Sequence, residues 1–254
     1  YKKALSIKPN FAEAHNNMGL VFKAQGKLGD AIEAYKKAIA IKTDFTEAYT
    51  NLGVTLKDQG KSQKAIEAYK KALSIKPDYA EAHQNLSYVL LNSGRLKEGL
   101  DEYEWRLKTV ERLAKNRDFS QPLWDGQKSL QGKTILLWSE QGIGDTINWC
   151  SGLSFVASKA ENCILECPHK LVSLLARSLP NVEVRPENRS LDTRRDDFDF
   201  HLPMGSLYRH LIPIISQGSN DDAFLTPDPV RIKYWQERLN SIGKGPYIGV
   251  SWKS

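Results

Sequence analysis

Tyr1, Tyr35, Tyr69 and Tyr103 are spaced by 34 residues, and so are Gly26, Gly60 and Gly94. A fixed period of this length constrains a chain strongly. Each unit must be one supersecondary element that buries its apolar face against the next. The copies are close: YKKALSIKPNFAEAH is followed by YKKAIAIKTDFTEAY and then by YKKALSIKPDYAEAH. Within a unit, small residues are set against large ones along two helices. The first shows Met18-Gly19, Phe22, Ala31, Tyr35 and Ala38, and the second Leu52-Gly53, Leu56, Ala65, Tyr69, Ala72 and Pro77. The glycine lets the two helices of a hairpin approach closely, and the tyrosine fills the space left. A third unit keeps Leu86, Leu90 and Tyr103 but carries Ser87 for glycine and Gly99 for alanine. It then departs into EYEWRLKTVERL without a closing proline, as a last repeat merging into another domain.

These positions are those of the tetratricopeptide repeat. About three repeats over residues 1–106 are expected, the first lacking its leading helix, so that the chain begins within a repeat. Asn17, Asn51 and Asn85 recur at the same 34-residue spacing on the first helices, which line the inner groove of such a solenoid. An amide row can hydrogen-bond the backbone of an extended peptide without reading its side chains. It resembles the asparagine ladder of the protein O-GlcNAc transferase superhelix. The other reading is that these amides tie neighbouring repeats together or face water. Tyr35 and Tyr69 read as core.

A chain of 254 residues with a formal charge of +6 has room for two cores, and its excess charge is spread without a basic block. No nucleic-acid-binding signature accompanies that charge, so no nucleic acid partner is expected. Cys150, Cys163 and Cys167 lack CxxC spacing or paired histidines. They read as reduced thiols of a cytoplasmic protein, with neither a metal site nor a disulfide frame. No run of 18 apolar residues is present, so no membrane span is expected.

After a linker over 107–131 the rhythm changes. Thr134–Ser139 predicts a buried strand, followed by a helix from about Thr146 to Lys159. Asn162–Cys167 predicts a second strand, with a helix starting near Pro168. Short strands are expected at Val182–Arg185 and Phe198–Leu202, and a helix near Ser206–Ile215. This alternation implies a parallel sheet covered on both faces, spanning 132–217. A polar linker over Gly218–Pro229 leads to a helix capped by Asp228-Pro229, and Tyr247–Trp252 reads as one more strand. Residues 218–254 are therefore expected to open a second, truncated domain.

The stretch TILLWSEQGIGD, Thr134–Asp145, places a glycine loop ending in a carboxylate at the strand's C-terminal edge, where open α/β sheets bind ligands. Gly132-Lys133-Thr134 is not a phosphate loop, because Gln127 replaces the required glycine and the triplet precedes the strand. Gly142-x-Gly144 does not complete a dinucleotide fingerprint, because Ile147 occupies the third glycine position.

EYEWR at Glu102–Arg106, PLWDG at Pro122–Gly126, EQGIGD at Glu140–Asp145 and FDFHLPMGSL at Phe198–Leu207 together resemble a known family. They look like bacterial proteins that join tetratricopeptide repeats to a glycosyltransferase family 9 domain, related to the lipopolysaccharide heptosyltransferases. The resemblance implies a GT-B fold, with two Rossmann-like domains facing one another across a cleft. In that family the first domain binds the acceptor and the second the nucleotide sugar, which is a co-substrate; catalysis is inverting and needs no metal or other cofactor. This chain would hold the repeats and the N-terminal, acceptor-side half. Asn148-Trp149-Cys150-Ser151 departs from the family's aromatic-arginine-tyrosine run.

The resemblance places the catalytic base on Asp145, while the residues equally allow Asp145 to cap the helix that follows. Glu140 reads as orienting the loop, as binding acceptor hydroxyls or as a solvated carboxylate. Gly142 and Gly144 suit close backbone approach to an acceptor. His201 either faces the cleft or packs in the core, and Ser206 either caps a helix or meets the acceptor. Lys253 would meet a donor phosphate as a point charge. Two functions stay open: a sugar transferase whose repeats recruit a protein or peptide, or a scaffold for protein–protein interaction whose α/β part is inactive.

Overall fold

The computed structural model describes residues 1, 6–108, 117–188, 195–215 and 224–243. The chain divides into two compact units, residues 1–116 with 208–213 and residues 117–207 with 214–254.

The first unit is a helical solenoid. Its helices are α1 (Ala12–Ala24), α2 (Leu28–Ile41), α3 (Thr46–Asp58), α4 (Ser62–Ile75), α5 (Ala80–Asn92) and α6 (Leu96–Tyr103). The periodic glycines end the first helix of each pair. Gly26, Gly60 and Gly94 adopt φ of 74°, 75° and 74°, a left-handed conformation that glycine takes without steric cost. Around Gly26 the amide of Lys27 donates to Phe22 O at 2.9 Å and that of Gly26 to Lys23 O at 2.9 Å. The same pair of bonds closes α3 and α5, so one Schellman turn is repeated at every hairpin. The paired small and large residues meet as their pattern requires. A Cβ on Gly19 would lie 2.5 Å from Tyr35 Cε1, and one on Gly53 would lie 2.5 Å from Tyr69 Cε1.

Each inter-repeat turn carries a further device. The ammonium groups of Lys8, Lys42 and Lys76 stand over Phe11, Phe45 and Tyr79 at 5.3, 4.8 and 5.2 Å from the ring centres. The EYEWR segment closes the last repeat. Trp105 stacks on buried His83 with ring centres 3.8 Å apart, and His83 bonds Glu102 through Nδ1 and Pro77 O through Nε2 at 2.8 Å. Arg106 is buried, with its guanidinium 4.4 Å from the Tyr103 ring centre. It lies in a 3-10 turn over Glu104–Lys108 that follows α6 directly.

The second unit is built on a small four-stranded parallel sheet of order β3-β2-β1-β4. The strands are β1 (Thr134–Trp138), β2 (Asn162–Cys167), β3 (Glu183–Pro186) and β4 (Phe200–Pro203). Helices α7 (Ile143–Cys150) and α8 (Leu153–Ala157) connect β1 to β2, and α9 (His169–Ser178) connects β2 to β3. Both crossovers step in the same direction, so right-handed connections place these helices on one face. The other face carries Leu136, Trp138, Ile164 and Phe198, packed against Phe119. Phe119 comes from the stretch read as a linker, and residues 122–124 of that stretch run along β4. His201 N donates to Pro122 O at 3.2 Å and Trp124 N to His201 O at 2.9 Å. A 3-10 turn, Met204–Ser206, follows β4, and α10 (Leu207–Ile215) comes next in the chain, its residues 208–213 belonging to the first unit. Helix α11 (Pro229–Ile242) is capped by Asp228, which accepts from the amides of Val230 and Arg231 at 2.9 and 3.3 Å.

Two expectations change. The helix after β1 starts at Ile143, not near Thr146, and it breaks after Cys150 before α8 begins. Gly144 therefore sits in a helix, and the glycine pair makes no left-handed turn, Gly142 having φ −71°. The strand expected at Tyr247–Trp252 lies outside the described residues.

Candidate functional site

The strand order reverses direction between β1 and β4, and ligands of open parallel sheets bind beyond the strand ends at such a point. The two segments that leave the sheet there are Glu140–Asp145 and Met204–Ser206. Glu140 is only 8% exposed and accepts from the amide of Gly205 at 3.2 Å, which joins the end of β1 to the turn after β4. Of its three readings, the solvated carboxylate is contradicted. A buried carboxylate needs such donors, and Gly205 supplies one.

Asp145 is exposed, and its Oδ2 accepts from the amide of Gly142 at 3.3 Å. It lies inside the first turn of α7 and reaches back to the amide of Gly142, the N-cap residue, so the reading of Asp145 as the cap ahead of Thr146 is corrected: the helix begins two residues before it. Thr146 behind it is buried, with Oγ1 donating to Gly142 O at 2.9 Å and 2.5 Å from Ser139 Oγ. Gly142 and Gly144 are exposed, and a Cβ on Gly144 would meet nothing within 4 Å. Neither backbone conformation nor neighbours require glycine at position 144.

His201 belongs to the core. Its ring lies 4.7 Å from that of Phe119, edge to face, and its Nδ1 accepts from Trp138 Nε1 at 3.3 Å. The cleft-facing role is not what this geometry supports. Ser206 is buried within the 3-10 turn. Lys253 lies outside the described residues.

An ion cluster escaped the sequence reading. Glu166, on β2 and 2% exposed, accepts from Arg117 at 2.5 Å and from Arg195. Asp197 accepts from Arg195 at 2.9 Å and from Arg185 at 2.5 Å. Arg195 first, and Arg185 with it, hold the Asp197 carboxyl well below the usual carboxylate range. The one signal was a glutamate among the apolar residues Cys163, Ile164, Leu165 and Cys167 of the strand. Burial pushes the thiols of Cys150 and Cys163 up to about 12.

In the repeats, Asn17, Asn51 and Asn85 occupy equivalent, half-buried positions of α1, α3 and α5. Asn51 Nδ2 donates to Asn16 Oδ1 at 3.0 Å, and Lys23 pairs with Asp58 at 3.2 Å, so successive first helices lie side by side. Asn85 Nδ2 donates to Glu81 O at 2.9 Å. The tying role read for the row is realised at Asn51. Each amide so engaged keeps its carbonyl oxygen and one further N–H for another partner.

Comparison with known proteins gives the first unit its class. A family model described as TPR repeat matches residues 1–26 and 19–60, and tetratricopeptide repeat models match 46–79 and 68–101. Residues 1–101 thus carry tetratricopeptide repeats. Among curated proteins the chain is similar to Protein FlbA of Caulobacter vibrioides, 30% identical over an alignment of 145 residues that covers 52% of this chain and 24% of that protein. The chain therefore spans about a quarter of the length of the curated relative it matches. Among solved structures it is similar to the crystal structure of MamA protein, at 32% identity over 45% of this chain and 62% of that one, with a TM-score of 0.40. A second is the second TPR of Spaghetti (RPAP3) bound to the HSP90 peptide SRMEEVD, at 23% identity, 38% and 90% coverage, and a TM-score of 0.37. No helix among the described residues is long and apolar enough to cross a membrane.

Proposed function

We propose that this chain is a scaffold for protein–protein interaction, docking an extended polypeptide segment across the first helices of its repeats. The observation that carries this reading is the row of Asn17, Asn51 and Asn85 at one position of three adjacent helices. Side-chain amides at a fixed spacing offer a donor and an acceptor in turn to a peptide backbone, whatever its sequence. The test is selection of 12-residue peptides from a random display library on the full chain. Peptides so selected should lose about tenfold in affinity, about 1.4 kcal/mol, to the Asn17→Ala, Asn51→Ala, Asn85→Ala variant. Selected peptides that bind the variant equally well would overturn the reading.

A second reading, sugar transfer from a nucleotide-sugar donor to a glycan or protein acceptor, is favoured by a different observation. The order β3-β2-β1-β4 is that of half a doubly wound sheet, and Gly142, Gly144 and Asp145 lie exposed at its reversal point. Asp145 would take the proton of the attacking hydroxyl, an inverting step that uses no metal, while a nucleotide-sugar-binding domain outside the described residues holds the donor. In the full-length protein, Asp145→Asn should then lower turnover by about 10²–10⁴ with donor affinity unchanged. Asparagine keeps a side-chain oxygen that can accept from the Gly142 amide, so full activity in that variant would leave Asp145 as a helix-end residue alone.

A further inference from the structure

The first helices carry more than an amide row. Counting from the start of each, the residues at the second, sixth and ninth positions stand at i, i+4 and i+7, the spacing that puts them on one stripe. The sixth is asparagine throughout. The second is Glu13, Glu47 and Glu81, all exposed. The ninth is Leu20, Val54 and Tyr88; Leu20 is 43% and Tyr88 46% exposed, while Val54 between them is half-buried against the repeat core. With α1, α3 and α5 side by side, the three stripes become three rows. The glutamates lie about 6 Å from the amides along the helix axes, and the apolar row about 4.5 Å away on the other side.

Charge follows the same division. The first helices together hold four carboxylates, Asp58 included, against Lys23 and Lys57, in a chain whose formal charge is +6. Both of those lysines are already engaged with Asp58, at 3.2 and 3.6 Å. Glu13 is approached by Lys42 at 3.7 Å, through a half-exposed pair that solvent screens.

We propose that the docked segment alternates basic and apolar side chains. This rests on the docking reading above. An extended chain sends successive side chains to opposite sides. A backbone lying along the amides therefore sends one set toward the glutamates and the other toward Leu20, Val54 and Tyr88. A partner of lysines or arginines alternating with leucines or valines satisfies both rows at once, and an acidic partner meets like charge along the glutamate row.

The experiment measures fluorescence anisotropy of three labelled 12-residue peptides titrated with the full 254-residue chain. They alternate Lys with Leu, Glu with Leu, and Lys with Ser. The Lys–Leu peptide should bind at least about tenfold more tightly than the other two, with affinity falling as salt rises. Substituting Glu13→Gln, Glu47→Gln and Glu81→Gln together should weaken it by about tenfold and flatten the salt dependence. Tyr88→Ser should weaken it while leaving the salt dependence in place, and the far-ultraviolet dichroism of each variant checks that the helices persist. Equal or tighter binding of the Glu–Leu peptide, lost in the triple asparagine variant, would overturn the alternating-charge chemistry and leave the docking face standing. Lys–Leu binding that survives unchanged in both the glutamate and the asparagine variants would overturn the docking face itself. Failure of all three peptides, beside library peptides that depend on the asparagines, would also overturn the chemistry alone.

Discussion

Gly53 shows how one residue sets the geometry of a repeat. Its missing side chain admits the Tyr69 ring, and the same exchange is made between Gly19 and Tyr35. In the third repeat Ser87 stands in the glycine position, and Gly99 opens space on the facing helix, where a Cβ would lie 2.8 Å from the Leu91 side chain. Ser87 is itself small and fully buried, so the helices of the third pair still close. Gly53→Ala should therefore destabilise the chain by about 1–3 kcal/mol through overpacking against a ring that has nowhere to go. Thermal unfolding of that variant beside wild type checks this, and an unchanged midpoint would contradict it. These contacts were legible in the sequence because glycine and tyrosine recur at 34 residues. The partner of Glu140 was not. Gly205 is 65 residues away and contributes only a backbone amide, which no residue type advertises.

Among the elements, β1 was legible over its whole length, since TILLW is apolar, β-rich and too short for a helix. The start of α7 was not. Two glycines argue locally for a loop, whereas the Asp145 carboxylate reaches back to the Gly142 amide and draws both into the helix end. The ion cluster on β2 escaped for a related reason. Glu166 takes its donors from Arg117 and Arg195, 49 and 29 residues away, and periodicity carries no information over such distances. That cluster gives the second unit a pH dependence. The folded Asp197 carboxyl sits below its ordinary value of 3.8. Its stabilising contribution is therefore complete above that value and is lost as pH falls through the folded one. Asp197→Asn should flatten the acid limb of the stability curve below about pH 4 while leaving the neutral limb parallel to wild type. Denaturant titrations from pH 2 to 7 measure it, and an acid limb identical in both proteins would remove Asp197 from the account.

At the scale of the whole molecule, the repeats were more legible than the α/β unit because a period states the same contact several times. The sheet states each contact once. Its parallel pairing followed from the alternation of strands and helices, while the strand order and the cover supplied by Phe119 depend on contacts between distant segments. The functional account rests on the repeated part, where three asparagines make one row. The most direct measurement is nuclear magnetic resonance of side-chain amides during titration with the Lys–Leu peptide. The account predicts that the NH₂ resonances of Asn17, Asn51 and Asn85 shift together along one binding curve, while those of Asn148 and Asn162 in the α/β unit stay in place. Saturable peptide binding that leaves the three repeat asparagines unmoved would contradict it.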